Sequence, residues 1–389
     1  MCSEERPEVE VGDILRCMGD RINSLGLSVH QLRTLSALRD CRTAALGGHV
    51  DACTECGSLC VSYNSCRNRC CPKCQGQKRE EWIEARNAEL LPVPYFHVVF
   101  TLPQELNSFC LHHPSEAYRL LFGSAWETLR LFGSNRHVKT GMIAVLHTWG
   151  QTLSLHPHLH CIVPGGGLDQ SGRWRNLHKD GKFLFPVKAL SRVFRARYVS
   201  MLRKSGVLSH EIIQTHFNGR LEPLFAKEWV VYAKRPFAHP SHVVEYLGRY
   251  THKIAISNSR IISYQNGTVR FSYTDYRSAA RKKVMELEDT EFIRRFAMHI
   301  PPERFVRIRH YGLLSSTSKK TAIPLIRAQL PATRICFIDM RKVKPYDRKI
   351  CPCCGNASMI TLEILPARGP PKPATGQKPS KTKSETVNV

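Results

Sequence analysis

Apolar positions between residues 10 and 46 recur at a period near 3.6, with Ile14, Leu15, Met18, Ile22 and Leu25 in one run and Leu32, Leu35 and Leu38 in a second. That spacing lines up one stripe of a helix, so the opening of the chain reads as helical. Residues 49–75 keep no such rhythm; they are rich in cysteine and have almost no core of their own. A helix is predicted over QKREEWIEARNAELL, residues 77–91, and Pro92 and Pro94 end it. The rhythm then changes. YFHVVFTL (95–102), GMIAVLHTW (141–149) and HLHCIV (158–163) are β-rich runs, with a helical SEAYRLLFGSAWETLRLF between the first two. KEWVVYAK (227–234) reads as a further strand, and SHVVEYLGRYTHKI after it as a helix. Antiparallel strands interleaved with helices give an α+β fold for residues 92–270. Residues 271–346 read as a basic helical region, 347–362 as a candidate zinc knuckle, and the Pro-, Lys-, Ser- and Thr-rich 363–389 as a disordered tail. Residues 1–80 form a helical and cysteine-rich segment, and no internal repeat is seen.

Composition sharpens this outline. The chain has 389 residues, 42% hydrophobic and 23% charged, enough for two or three cores. Lys and Arg number 57 against 32 Asp and Glu, a net charge of +25. That excess suits a protein that lies along phosphates. No apolar run reaches the ~18 residues that would span a bilayer. The acidic, polar start, MCSEERPEVEVGD, lacks the apolar stretch of a signal peptide, so a cytoplasmic protein away from membranes is expected.

In a reducing compartment, cysteines in pairs point to metal. Of sixteen cysteines, eight fall between Cys41 and Cys74 and three between Cys351 and Cys354. Cys53-x-x-Cys56 and Cys71-x-x-Cys74 are two knuckles, each able to turn two thiolates toward a tetrahedral zinc ion. These four are the expected zinc ligands, with Cys66, Cys70 and His49 as alternates that could support a second ion. Zinc would supply folding energy that so short a segment cannot draw from apolar burial. Cys351-Pro-Cys-Cys354 is a single knuckle without an obvious partner pair, although Cys336 could contribute.

Two further passages carry chemistry. In HLHCIV, residues two apart share a face, so His158 and His160 project together while Leu159, Cys161 and Val163 face the core. Two imidazoles on one face make half of a divalent-metal site. Gln151 and His147 are the candidates for the third ligand, and His156 shares the face if the strand starts early. In EYLGRYTHK, Tyr246 and Tyr250 stand four apart on one side of a predicted helix. A phenol with pKa near 10 is a weak nucleophile until a base or a metal-polarised electrophile assists it. Arg249, His252 and Lys253 flank the pair and could neutralise phosphate, and Arg67 and Arg69 beside the cysteines are further candidate DNA contacts.

HTWGQTLSLHPHLHCIVPGGG together with EYLGRYTHKIAISNSR resembles the HUH (His-hydrophobic-His) nucleases, most of all the transposases of the insertion sequence 91 family. CRTAALGGHVDACTECG and YNSCRNRCCPKCQ are similar to that family's zinc-binding domain, and IPPERFVRIRHYGLLS to its C-terminal stretch. The likeness covers roughly residues 30–355, with its motifs in the family's order; where the family usually has histidine, this chain has Cys70. The resemblance implies an antiparallel HUH nuclease core and a two-tyrosine rolling-circle transposase. His158 and His160 would hold Mg²⁺ or Mn²⁺ at a single-stranded DNA phosphate. Tyr246 or Tyr250 would attack, leaving a 5′-phosphotyrosine and a free 3′-hydroxyl, and the second tyrosine would act on the target or the other end. A plasmid replication initiator or relaxase would share this chemistry, and a zinc-dependent DNA-binding regulator would lack it.

Overall fold

The computed structural model describes residues 7–74, 83, 86, 89–177, 184–233, 254–330 and 347–367. The predicted helix around Tyr246 and Tyr250 lies outside them, as does most of that over 77–91. In chain order the described elements begin with α1 (Val11–Met18), α2 (Val29–Arg39), β1 (Gly48–Cys53), β2 (Leu59–Tyr63) and β3 (Tyr95–Thr101). There follow α3 (Asn107–His112), α4 (Pro114–Ser134), β4 (Gly141–Trp149), β5 (Leu155–Pro164), β6 (Gly166–Leu168) and β7 (Trp174–Asn176). Next come α5 (Val187–Lys204), α6 (His210–Phe217), β8 (Val231–Ala233), β9 (Ile261–Gln265), β10 (Thr268–Asp275) and β11 (Arg281–Glu288). The last are α7 (Asp289–Met298), β12 (Ile308–Gly312), α8 (Lys319–Gln329) and β13 (Met359–Leu365). The fold mixes helices with antiparallel sheets. The chain divides into two compact units, Met1–Arg39 with Arg67–Pro345, and Asp40–Cys66 with Tyr346–Val389.

The first unit is organised by a five-stranded antiparallel sheet in the order β12-β4-β5-β3-β8. Strict alternation gives each strand two different faces. On one face Phe96, Val98, Phe100, Met142, Ala144, Leu146, Leu159, Cys161 and Val163 are buried under α4 and α5, against residues such as Leu121, Phe122, Phe194 and Tyr198. On the other, Tyr95, Val145 and Ile162 pack with Leu313 and with Ala322, Ile323 and Ile326 of α8. Each large apolar side chain fully buried contributes ~1.5–3 kcal/mol. A one-residue slip of β5 would exchange Leu159 and Cys161 for the histidines and forfeit several such terms, so the core locks the register on which the histidines depend.

The strands and helices predicted between residues 95 and 163 are all present, with β5 longer than read, from Leu155 to Pro164. The reading of 271–346 as helical needs correction. Its first part is the hairpin β10–β11, paired from Thr268↔Glu288 to Asp275↔Arg281, and among the described residues α7 and α8 are its α-helices. RKKVMELE is made of good helix formers, but pairing with β10 overrides local preference. Cross-strand ion pairs, Arg270 with Glu286 and Lys283 with Asp275, sit on that hairpin. α1 packs against α7, whose first residue, Asp289, accepts hydrogen bonds from both Nη atoms of Arg21 and from the Tyr264 hydroxyl.

The second unit is built on a three-stranded sheet, β13-β1-β2. β13 is a strand where the sequence reads as knuckle and tail, and its last residues, Glu363–Leu365, fall inside the segment predicted to be disordered. Among the described residues of the chain, no helix is long and apolar enough to cross a membrane.

Candidate metal centre

β4 and β5 pair so that His147 lies directly opposite His158 and Val145 opposite His160. Directly paired residues share a face, so His147, His158 and His160 converge. Each offers a ring nitrogen within 4.8 Å of the other two. His147 and His160 are buried, at 3% and 8% exposure, and the centroids of their rings are 4.7 Å apart. His147 also stacks on Trp149 at 4.5 Å, which fixes its plane.

Hydrogen bonds set the tautomers of the other two. His158 Nδ1–H donates to the backbone carbonyl of His156 at 2.6 Å. In a neutral ring that puts the remaining lone pair on Nε2. His160 Nδ1 lies 2.9 Å from His97 Nε2. A neutral His160 keeps Nε2 for an ion only when Nδ1 carries the proton, and Nδ1–H then donates to His97. An imidazole ligand oriented through its second nitrogen in this way is the arrangement that metal sites favour.

Of the two candidates for a third ligand, His147 is the one that strand register sets beside His158 and His160. The Gln151 backbone carbonyl accepts from Arg260 Nη2 at 2.6 Å, and its side-chain oxygen accepts from Thr274 N–H at 3.4 Å. His156 is exposed at the start of β5, its ring 5.1 Å from His158. His97 escaped the sequence reading, although a lone imidazole in the apolar run YFHVVFTL was a signal that could have found it. Tyr232 on β8 pairs with Val99, which pairs with His160, so this half-exposed phenol stands on the histidine face. Tyr246, Tyr250, Arg249 and Lys253 lie outside the described residues.

Three nitrogens suit a first-row transition ion better than Mg²⁺, which prefers oxygen. The residues present thus fit a divalent ion, with Mn²⁺ the better match of the two expected from the sequence.

The cysteines regroup. Cys53 and Cys56 do not join Cys71 and Cys74; they meet Cys351 and Cys354, with the four sulfurs within 4.8 Å of one another. Cys53 Sγ is 3.6 Å from Cys354 Sγ, and Cys56 Sγ is 3.6 Å from Cys351 Sγ. The physical reason is the pairing of β13 with β1, which sets Met359 against Cys53 and brings the distant knuckle alongside. Hydrogen bonds from the Ser358 hydroxyl and the Cys56 N–H hold the Cys53 thiol down at about 6, favouring the thiolate that a metal needs. His49 is not in this group; its Nε2 lies 3.1 Å from Asp51 Oδ2. Cys66 donates its N–H to Cys41 Sγ at 3.4 Å. Cys70 is buried in the first unit beside Arg307, and that burial pushes its thiol up. Arg69 donates to the backbone carbonyls of Phe305 and Pro302, so its guanidinium straps a loop of its own unit, whereas Arg67 is exposed.

A largely buried histidine cluster on an antiparallel sheet and cysteine clusters that could hold zinc thus stand on a strongly basic chain. The comparisons then narrow the class. A family model described as "Transposase zinc-binding domain" matches residues 14–102, and one described as "Putative transposase" matches residues 141–321. The chain is 44% identical, over 93% of its length and 97% of the relative's, to "Putative transposase y4qJ" of Sinorhizobium fredii. It is 29% identical, over 90% of its length and 88% of the relative's, to "Transposase for insertion sequence element IS801" of Pseudomonas savastanoi pv. phaseolicola. No solved structure matches it. The chain belongs to the insertion sequence 91 family of transposases. Membership makes it an enzyme that cuts DNA and transfers strands.

Proposed function

We propose that this transposase cleaves and rejoins single-stranded DNA through a 5′-phosphotyrosine intermediate, mobilising an insertion sequence by rolling-circle transposition. The observation that carries the reading is the gathering of His147, His158 and His160 on one sheet face, with His97 behind His160. That arrangement supports the reading of an HUH nuclease core. The ion these residues would hold supplies Lewis acidity and a template at the scissile phosphate. His147, His158 and His160 would hold it, and the sheet behind them keeps the ring planes fixed.

The nucleophile is Tyr246 or Tyr250. Its phenol oxygen forms the new bond to phosphorus while the bond from phosphorus to the 3′-oxygen breaks. The phenolic proton leaves to solvent, and the released 3′-oxygen is protonated. The phosphotyrosine ester retains the energy of the broken bond, so a 3′-hydroxyl can attack its phosphorus, release the phenol and restore a phosphodiester without ATP, while the second tyrosine acts on the target or the other end. Arg249 and Lys253 neutralise phosphate at the site, and the exposed Arg67 does so beside the cysteines. Cys71 and Cys74 serve a structural zinc with partners among the neighbouring thiols. The protein works in the cytoplasm, where element DNA is found.

The test is direct. Purified protein given single-stranded element-end DNA and Mn²⁺ should form an adduct that survives SDS. Replacing both Tyr246 and Tyr250 by Phe should abolish it, and peptide mapping should place the nucleotide on one of them. An adduct undiminished in the double variant, or mapped to Tyr232, would overturn the assignment of the nucleophile.

A further inference from the structure

The family's zinc-binding match ends at residue 102, yet the thiols that Cys53 and Cys56 meet lie some two hundred and fifty residues beyond it. We infer that Cys53, Cys56, Cys351 and Cys354 hold one structural zinc ion that ties the two ends of the second unit into a single fold.

The two knuckles share one backbone frame despite unlike sequences. In Cys53-Thr-Glu-Cys56-Gly57, Gly57 N–H donates to Cys53 O at 3.0 Å and Cys53 N–H to Ser58 O at 2.9 Å. In Cys351-Pro-Cys-Cys354-Gly355, Gly355 N–H donates to Cys351 O at 2.9 Å and Cys351 N–H to Asn356 O at 2.7 Å. A backbone N–H also reaches the first sulfur of each knuckle at 3.4 Å, from Cys56 to Cys53 and from Cys353 to Cys351. The closing residue is left-handed in both, with φ of 69° at Gly57 and 78° at Gly355, where glycine carries no steric penalty.

The sulfur spacing fits zinc. A tetrahedral ion with Zn–S of ~2.3 Å spaces its sulfurs by about 3.8 Å, close to the 3.6 Å found across both pairs. Disulfides would need ~2.05 Å.

The unit has a reason to need the ion. Among its described residues no aliphatic or aromatic side chain is buried; what is buried is Cys41, Gly47, Gly48, Asp51, Cys53 and Cys351. Leu59, Val61, Ile360 and Leu362 on the outer strands are all at least half exposed. A three-stranded sheet without an apolar core cannot offset its conformational entropy by burial, whereas four zinc–thiolate bonds can.

The experiment is metal stoichiometry on the full chain, purified under reducing conditions and measured by plasma mass spectrometry. Cys351→Ser with Cys354→Ser should lose one zinc per chain. Cys53→Ser with Cys56→Ser should lose one also, and the quadruple variant should lose no more than either pair. Cys353→Ser, at the exposed cysteine between them, should keep the wild-type content. Cys354→His, which preserves a zinc donor, should keep the ion even if the serine variants fold poorly. Limited proteolysis gives a second readout, since cleavage within 347–365 should accelerate in the serine variants and not in Cys353→Ser. Wild-type zinc content in the Cys351/Cys354 double variant would overturn the inference, as would additive losses in the quadruple variant.

Discussion

His97 is the residue whose role the structure brings out most sharply, and its replacement separates site from scaffold. It is 2% exposed on β3 and stands 2.9 Å from His160 Nδ1. Under the proposed function its Nε2 accepts the hydrogen bond from His160 Nδ1–H, the tautomer that turns the His160 Nε2 lone pair toward the ion. Loss of such an outer partner costs metal affinity about 10–100-fold, or roughly 1.4–2.8 kcal/mol at 1.4 kcal/mol per decade. His97→Leu removes the acceptor and retains a side chain of similar bulk, so the cavity term of ~2–5 kcal/mol that a truncation to alanine brings to the fold is largely avoided. His97→Gln restores an acceptor oxygen. Calorimetric titration of the zinc-loaded protein with Mn²⁺ should show weaker binding by 10–100-fold for His97→Leu and near-normal binding for His97→Gln. The Mn²⁺ concentration that half-saturates strand cleavage should move in parallel. Thermal unfolding checks that both variants are folded. A folded His97→Leu with wild-type Mn²⁺ affinity would refute the argument, because the bond to His160 would then have no bearing on ion binding.

Other consequences follow from the same geometry. His147→Ala should abolish cleavage, whereas Gln151→Ala should leave Mn²⁺ affinity within a few-fold, and the reverse pattern would restore Gln151 as the third ligand. Burial depresses the His299 imidazole to about 4 from an ordinary 6.5. A histidine whose folded pKa is lowered favours the unfolded state once protonated. Its contribution is therefore intact above pH 6.5 and lost as pH falls toward 4, on the order of 3 kcal/mol over that window. His299→Gln should flatten the acid limb of stability between those values, as followed by denaturant unfolding at several pH values. Asp289→Asn should cost about 1–2 kcal/mol in the same assay, less than for a fully buried pair because the Arg21 side chain is 54% exposed.

The sequence by itself determined what local pattern can encode. Period two in HLHCIV is a property of any strand, so it placed His158 and His160 together and Leu159 and Cys161 opposite without knowledge of the neighbours. The long helix of α4 and the strands β3 and β4 were legible for the same reason, since their apolar spacing repeats within a few residues. Motifs in three separated segments, in the family's order, carried the resemblance to the family.

Tertiary structure decided everything that depends on which strands become neighbours. The placement of His147 beside His158 and His160 rests on the register of β4 against β5, which the core beneath them sets. His97 enters because β3 pairs on the other side of β5. RKKVMELE became a strand because β10 offered it a ladder, against its own helical preference. The zinc knuckles are the clearest case: thiols at positions 53 and 351 carry no mutual signal along the chain. Only the pairing of β13 with β1 brings them within bonding range of one ion, because strand pairing is a contact between segments and leaves no periodicity in either one.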